Sequence, residues 1–150
     1  MIFPCIATHD LTRRYGAHTA LDGVTLSVEP GSVYALVGPN GAGKTTLIQL
    51  IMNLQSATAG SVEVLGMPSK AIRGRALSRI GYVSELQEMP ESMTVGGFLD
   101  YLRPFYPTWD YRLEEQLLDD FDLPMDRELQ HLSRGMRMKA AFVSTLSYRP

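Results

Sequence analysis

The sequence is poor in several things, and each shortage excludes a class of protein. It has one cysteine, Cys5, so no internal disulfide framework can form, and a reducing compartment suits it. No apolar run approaches the roughly 18 residues that a membrane-spanning helix needs. The opening Met1-Ile2-Phe3-Pro4-Cys5 has no basic region followed by an apolar core, so no secretory signal is expected. Charge of one sign is also lacking: 14 Lys and Arg against 16 Asp and Glu leave a net charge of −2. Bulk electrostatics therefore give no reason to expect a nucleic-acid partner. His9, His18 and His131 are scattered without metal-ligand spacing and read as surface or capping residues. There is no internal repeat, low-complexity tract or heptad pattern. What remains, 150 residues at 45% hydrophobic, is enough for one globular domain with a sizeable core.

Against this background one run stands out. Gly38-Pro39-Asn40-Gly41-Ala42-Gly43-Lys44-Thr45 satisfies the phosphate-loop pattern G-x-x-x-x-G-K-[ST]. A chance match in a chain of this length has a probability of about 1 in 200. The flanks support it. Ser32 to Val37 is a short β-rich apolar run that predicts a buried strand, and Thr46 to Met52 predicts a helix. Glycines allow positive φ and close approach of backbone N–H groups to phosphate oxygens. A helix starting near Gly43 aims its positive end at the same oxygens. Lys44 should reach the β- and γ-phosphates, and the Thr45 hydroxyl should ligate Mg²⁺. The pattern implies a nucleoside triphosphate with magnesium.

The remainder of the chain is organised around this loop. Ile6 to Thr12 and Ala20 to Val28 predict antiparallel strands, with turns at Tyr15-Gly16 and Glu29-Pro30-Gly31. Ser61 to Leu65 alternates as a half-buried strand, Lys70 to Arg79 predicts a polar helix, and Ile80 to Val83 predicts another short strand. From Thr94 the texture becomes helical. Thr94 caps a run through Leu102 that breaks at Pro104 and Pro107. Asp110 to Phe121 puts Leu113, Leu117, Leu118 and Phe121 on one stripe, leaving Glu114, Glu115, Asp119 and Asp120 largely outside it as solubilising charge. Ser133 sits where an N-cap belongs, before a helix from Gly135 to about Tyr148. The aromatic-rich Phe105-Tyr106-Pro107-Thr108-Trp109 fits a partner contact or core packing equally well.

Leu132-Ser133-Arg134-Gly135-Met136 resembles the Leu-Ser-Gly-Gly-Gln signature of ATP-binding-cassette (ABC) ATPases at three of its five positions. It lies 133 − 43 = 90 residues beyond Gly43, at the mouth of a helix. Tyr15-Gly16, Ala20-Leu21 and Glu29-Pro30-Gly31 are similar to the family's adenine-stacking segment. Ser61 to Gly66, Ile80 to Val83 and Met93-Thr94-Val95 follow the family's order. The resemblance covers essentially the whole chain. It implies an α/β fold of P-loop NTPase type, with an antiparallel β subdomain, a partial parallel-sheet core and an α-helical subdomain. The corresponding spans are 1–83 for the core and β subdomain, 84–133 for the Q-loop region and helical subdomain, and 134–150 for the signature helix.

The resemblance also implies roles. The cofactors would be ATP and Mg²⁺, held by Tyr15 on the adenine and by Gly38 to Thr46, including Thr46, on the phosphates. Ser133, Arg134, Gly135 and Met136 would act in trans, on the γ-phosphate held by a second ABC domain. Two departures bear on this. The family's Gln after Ile-Gly-Tyr-x-x is Glu85 here, a competent Mg²⁺ ligand by charge, with Gln87 two residues on. In the signature, Arg134 replaces a Gly and adds a cation, while Met136 replaces Gln and loses an amide. The family's next segment, an apolar strand ending in Asp-Glu, and its later switch histidine have no counterpart here. Asp119, Asp120 and Asp122 sit on an acidic helical stretch without such a strand. In the family sheet two later strands separate the phosphate-loop strand from the Ile80–Val83 strand, so one continuous parallel sheet is not expected from the strands present.

These 150 residues are thus expected to be an N-terminal fragment of a longer ATPase, not competent for turnover alone. The leading expectation is the ATP-binding subunit of an ABC transporter, cytoplasmic and peripheral on the inner face of the cell membrane through a separate permease. The alternatives are a soluble non-transport ABC ATPase and a nucleotide-binding module without turnover. GTPases are disfavoured because no Asn/Thr-Lys-x-Asp guanine motif occurs.

Overall fold

The computed structural model describes residues 3–84 and 88–150, which fall into two units, Met1–Arg73 and Gly74–Pro150. In the first unit, β1 (Ile6–Tyr15) and β2 (His18–Val28) form an antiparallel hairpin. The two-residue connection Gly16-Ala17 places Tyr15 opposite His18. It needs the positive φ that Gly16 adopts, +58°. β3 (Ala59–Val64) pairs with the other edge of β1, and the two-residue β4 (Met67–Pro68) completes the order β2-β1-β3-β4, antiparallel throughout.

The hairpin is longer than its hydrophobic alternation predicts because its register slips between Thr8 and Leu11 and again near Arg13. Buried threonines absorb the slips. Thr8 Oγ1 donates to the Val24 carbonyl at 2.9 Å and accepts from the Leu26 N–H at 3.1 Å, while Thr12 Oγ1 accepts from the Gly23 N–H at 3.0 Å. The backbone groups freed at the bulges thus keep partners. Ala7, Leu11, Leu21, Val62 and Val64 supply the sheet's part of the core, and Leu47, Leu50 and Ile51 of α1 (Lys44–Ile51) supply the helix's part.

Two expected strands do not form. Ser32–Val37 is assigned no strand, with Val33 101% and Val37 93% exposed. Ile80–Val83 is likewise unpaired. A run of β-formers becomes a strand only against a partner ladder. Among the described residues no strand pairs with either run, so the partial parallel-sheet core expected from the sequence is not built from them. The polar helix expected over Lys70–Arg79 is instead a pair of 3₁₀ segments, Ser69–Ala71 and Gly74–Arg79. Gly74, at φ +54°, interrupts the run.

The second unit is helical, with α2 (Val95–Leu102), α3 (Tyr111–Phe121) and α4 (Arg134–Leu146). Each begins on a side-chain cap. Thr94 Oγ1 accepts from the Gly97 N–H, Asp110 Oδ1 from the Arg112 and Leu113 N–H groups, and Ser133 Oγ from the Met136 N–H. Val95, Leu99, Trp109, Leu123, Leu129, Leu132, Ala140, Val143 and Tyr148 form one core. Tyr106 stacks on Tyr148 with ring centroids 4.0 Å apart. Burial pushes the Tyr148 phenol up to about 12, helped by the neighbouring Tyr106.

The aromatic loop divides: Trp109 and Tyr106 pack inward, whereas Phe105 is exposed. Glu114 corrects the sequence reading outright. It is buried, not a solubilising charge, and its carboxylate accepts from Trp109 Nε1 at 2.6 Å and from Arg103 Nε at 3.0 Å. Arg103 Nη2 bonds its other oxygen and Nη1 reaches Asp100.

Candidate nucleotide-binding site

The phosphate loop is shaped by two glycines in the left-handed region, Gly41 at φ +84° and Gly43 at φ +83°. Gly43 is also sterically required. A Cβ there would lie 2.5 Å from the Ala20 carbonyl oxygen and 2.7 Å from Leu21 Cδ2. The beginning of β2 therefore packs directly against the loop at Gly43. At Gly38 a Cβ would approach Ala42 Cβ at 3.3 Å, and the Ala42 N–H donates to the Pro39 carbonyl at 3.2 Å, closing the turn.

Gly43 is the N-cap of α1 and its carbonyl accepts the first helical bond, from the Leu47 N–H at 2.8 Å. No side chain caps this end. The N–H groups of the first turn have no intrahelical acceptor by construction, the arrangement that suits a helix start to an anion. Pro39, Asn40, Gly41 and Ala42 are exposed, as is Thr45, while Lys44 and Thr46 are half-buried. Lys44 Nζ donates to the carbonyl oxygens of Gly38 and Pro39, both at 2.7 Å. Two of its three donors thus tie the ammonium across the start of the loop.

The hairpin end brings Tyr15 to the same helix. Its hydroxyl hydrogen-bonds Gln55 Oε1, and the Arg13 guanidinium lies 4.4 Å from its ring centroid. The Arg13 guanidinium beside it, first, holds the Tyr15 phenol below its ordinary value, and the Gln55 and Thr46 side chains act in the same direction. Tyr15 remains 41% exposed. A part-exposed aromatic face and a phosphate cradle therefore meet within one unit, one on the hairpin and the other on α1.

The signature-like residues lie in the second unit. Leu132 is buried and anchors the segment, while Ser133, Arg134 and Gly135 are exposed and Met136 is half-buried. Glu85 and Gln87, the two Q-loop candidates, lie outside the described residues.

A P-loop on an αβ scaffold serves many NTPases, so the comparison with known proteins is decisive. The family model described as "ABC transporter" matches residues 21–150. The chain belongs to the ABC transporter family. It is similar to the ribose import ATP-binding protein of Pseudomonas putida, 34% identical over 161 aligned positions that cover 100% of this chain and 31% of that protein. It is also similar to the zinc import ATP-binding protein of Rickettsia bellii, 30% identical over 149 positions, covering 98% and 59%. Among solved structures, an ATP-binding subunit of an ABC transporter superposes with a TM-score of 0.84 at 27% identity, covering 97% of this chain and 63% of that one. A dimeric bacterial ABC transporter cassette shares the fold, with a TM-score of 0.81 at 21% identity, covering 97% and 70%. The chain spans about a third to three-fifths of the length of these curated relatives. What it shares with them is the ATP-binding cassette, of P-loop NTPase fold.

The sequence reading missed Arg13, Gln49 and Gln55, the residues around Tyr15. A cation two residues before an aromatic on a strand shares its face, which is the only signal that would have pointed to Arg13.

Proposed function

We propose that this cassette binds ATP with Mg²⁺ at Gly38–Thr46 and Tyr15, and that the longer protein uses ATP binding and hydrolysis to drive transport through a separate membrane permease. The observation that carries the reading is the uncapped start of α1 behind Gly43, with Lys44 beside it. The first-turn N–H groups supply donors for the phosphates, and the Lys44 ammonium, with one donor left over, adds a positive charge. Thr45 is an exposed hydroxyl at the head of the same helix, and the reading gives it Mg²⁺, with Glu85 or Gln87 as a further ligand. The loop residues fit that group: the glycine cradle is one that a Cβ at Gly43 would destroy. Bound Mg²⁺ would neutralise charge developing between the β- and γ-phosphates. Tyr15 offers a stacking face for the base, which is tolerant of base identity because every base has a π-face.

Ser133, with Arg134, Gly135 and Met136, is proposed to meet the γ-phosphate held by a second cassette, head to tail. A serine cap on a helix start is chemically suited to this, since both its hydroxyl and the first-turn N–H groups face an anion. The cycle would then be closure of two cassettes on ATP and separation after hydrolysis, at the cytoplasmic face of the membrane. None of the helices among the described residues is long and apolar enough to cross a membrane, which is consistent with a separate permease. Similar relatives are named for ribose, sulfate/thiosulfate and zinc import and for Nod factor export. The likeness therefore bears on the ATP-binding part and not on the cargo.

The test is ATP affinity. Losing a charge-assisted contact costs about 1.5–3 kcal/mol, so Lys44→Ala is expected to weaken Mg²⁺–ATP binding about ten- to a hundredfold in equilibrium titration. Equal affinity in wild type and variant would overturn the assignment.

A further inference from the structure

The Tyr15 side chain is held by more than its own strand. Its hydroxyl bonds Gln55 Oε1, and Gln55 Nε2 donates to Gln49 Oε1 at 2.6 Å. Gln49 belongs to α1, and its carbonyl accepts from the Leu54 N–H at 2.8 Å and the Gln55 N–H at 3.3 Å. Gln55 is thus fixed to Gln49 through both side chain and main chain. On the other side, Arg13 stacks on the Tyr15 ring and is itself tied by Nη1 to the Ser56 carbonyl at 2.7 Å. The Arg14 N–H donates to Thr58 Oγ1 at 3.0 Å, closing the same contact between hairpin end and post-helix loop.

We propose that Gln55, relayed through Gln49, and Arg13 are positioning residues that set the Tyr15 ring relative to α1, so that one helix fixes both the phosphate cradle and the base platform. This rests on the reading of Tyr15 as the base-stacking residue. The chemistry favours such a device. An exposed tyrosine at a hairpin tip has free χ rotation, and ordering it on binding would cost rotamer entropy. A hydroxyl already bonded and a ring already covered by a guanidinium on one side remove that cost beforehand. The Gln55 amide is engaged at both ends, its oxygen by Tyr15 and its nitrogen by Gln49, so the relay ties the hydroxyl to α1.

Two ligands separate the roles: ATP, which has a base, and inorganic tripolyphosphate, which has none, each titrated with Mg²⁺ against the full chain. Gln55→Leu is expected to weaken ATP about two- to tenfold, the loss of one neutral hydrogen bond, while tripolyphosphate affinity stays at the wild-type value. Tyr15→Phe, which keeps the ring and loses the hydroxyl, should give the same loss, and combining it with Gln55→Leu should add nothing. Gln55→Glu retains an acceptor for the hydroxyl, and a turned Gln49 amide can donate to its other oxygen, so it should recover most of the ATP affinity. Equal weakening of both ligands by Gln55→Leu, or additive losses in the double variant, would overturn the relay. A Tyr15→Ala variant with unchanged ATP affinity would instead overturn the base-stacking reading beneath it, and the relay with it.

Discussion

At Gly43 the left-handed backbone and the approach of Ala20 act on the same atom, whereas Gly41 has the left-handed backbone alone: a Cβ at Gly41 meets nothing within 4 Å. The two glycines of one motif therefore separate experimentally. Gly41→Ala bears only the left-handed cost of roughly 1–2 kcal/mol. Gly43→Ala bears that cost and also a collision with backbone, so the loop or β2 must move. Thermal unfolding should place Gly43→Ala well below Gly41→Ala, and ATP affinity should fall further in the former; equal behaviour would show that the hairpin does not brace the loop. Glu114 makes a second residue-scale case. Glu114→Ala leaves Arg103 its Asp100 partner but strands the buried Trp109 indole N–H. A buried donor left without an acceptor costs about 1–3 kcal/mol, so denaturant unfolding followed by Trp109 fluorescence should show a loss of that size. Trp109 is the only tryptophan in the chain, so the signal reports this unit.

The helices were the elements most legible in the sequence, and their caps show why. Thr94, Asp110 and Ser133 each carry a local signal, a short polar side chain next to a periodic run, and local signals survive whatever the remainder of the fold does. Strands depend on partners distant in sequence. β1 and β2 pair antiparallel as expected and Ser61–Leu65 falls largely within β3, whose pairing with β1 the sequence does not announce, while Ser32–Val37 is rich in β-formers yet meets no ladder among the described residues. Glu114 was misread for a related reason. The helical stripe places it off the apolar face, and only tertiary structure brings Arg103 and Trp109 over it. At the candidate site the phosphate-loop pattern and the Ser133 cap are local in sequence, whereas the Tyr15–Gln55 bond joins residues 40 apart and leaves no local signal.

The Asp110 cap supports a prediction at this scale. The Leu113 N–H holds its carboxyl below the usual range, and Arg149, with Nε 2.7 Å from Oδ2, adds to this. A carboxyl lowered on folding stabilises above its unfolded value of about 3.9, and that contribution is lost as pH falls through the folded value. Asp110→Asn keeps a neutral cap, so its melting midpoint should approach that of wild type as acid removes the wild-type charge. A constant difference between the two from neutral to acid pH would argue against the charge as the source.

At the scale of the whole molecule, the nucleotide cradle lies in one unit and the Ser133 segment in the other, each on its own core. Ligand binding stabilises only what it contacts or what unfolds together with it, and at a hundred times the dissociation constant this amounts to about 2.7 kcal/mol. Hydrogen exchange resolves where that stabilisation goes. With Mg²⁺–ATP and dilute chain, amides of the loop, the start of α1 and the Tyr15 hairpin end should slow, while those at 132–136 should exchange as they do without nucleotide. If Ser133 serves a second cassette, raising the chain concentration at saturating ATP must bring protection to 132–136, because pairing is second order in chain. Ser133→Ala should abolish that second protection and spare the first, since Ser133 touches no part of its own cradle in the proposed arrangement. Protection at 132–136 that is already complete in dilute chain and independent of concentration would place the segment on the nucleotide of its own copy and refute the head-to-tail reading.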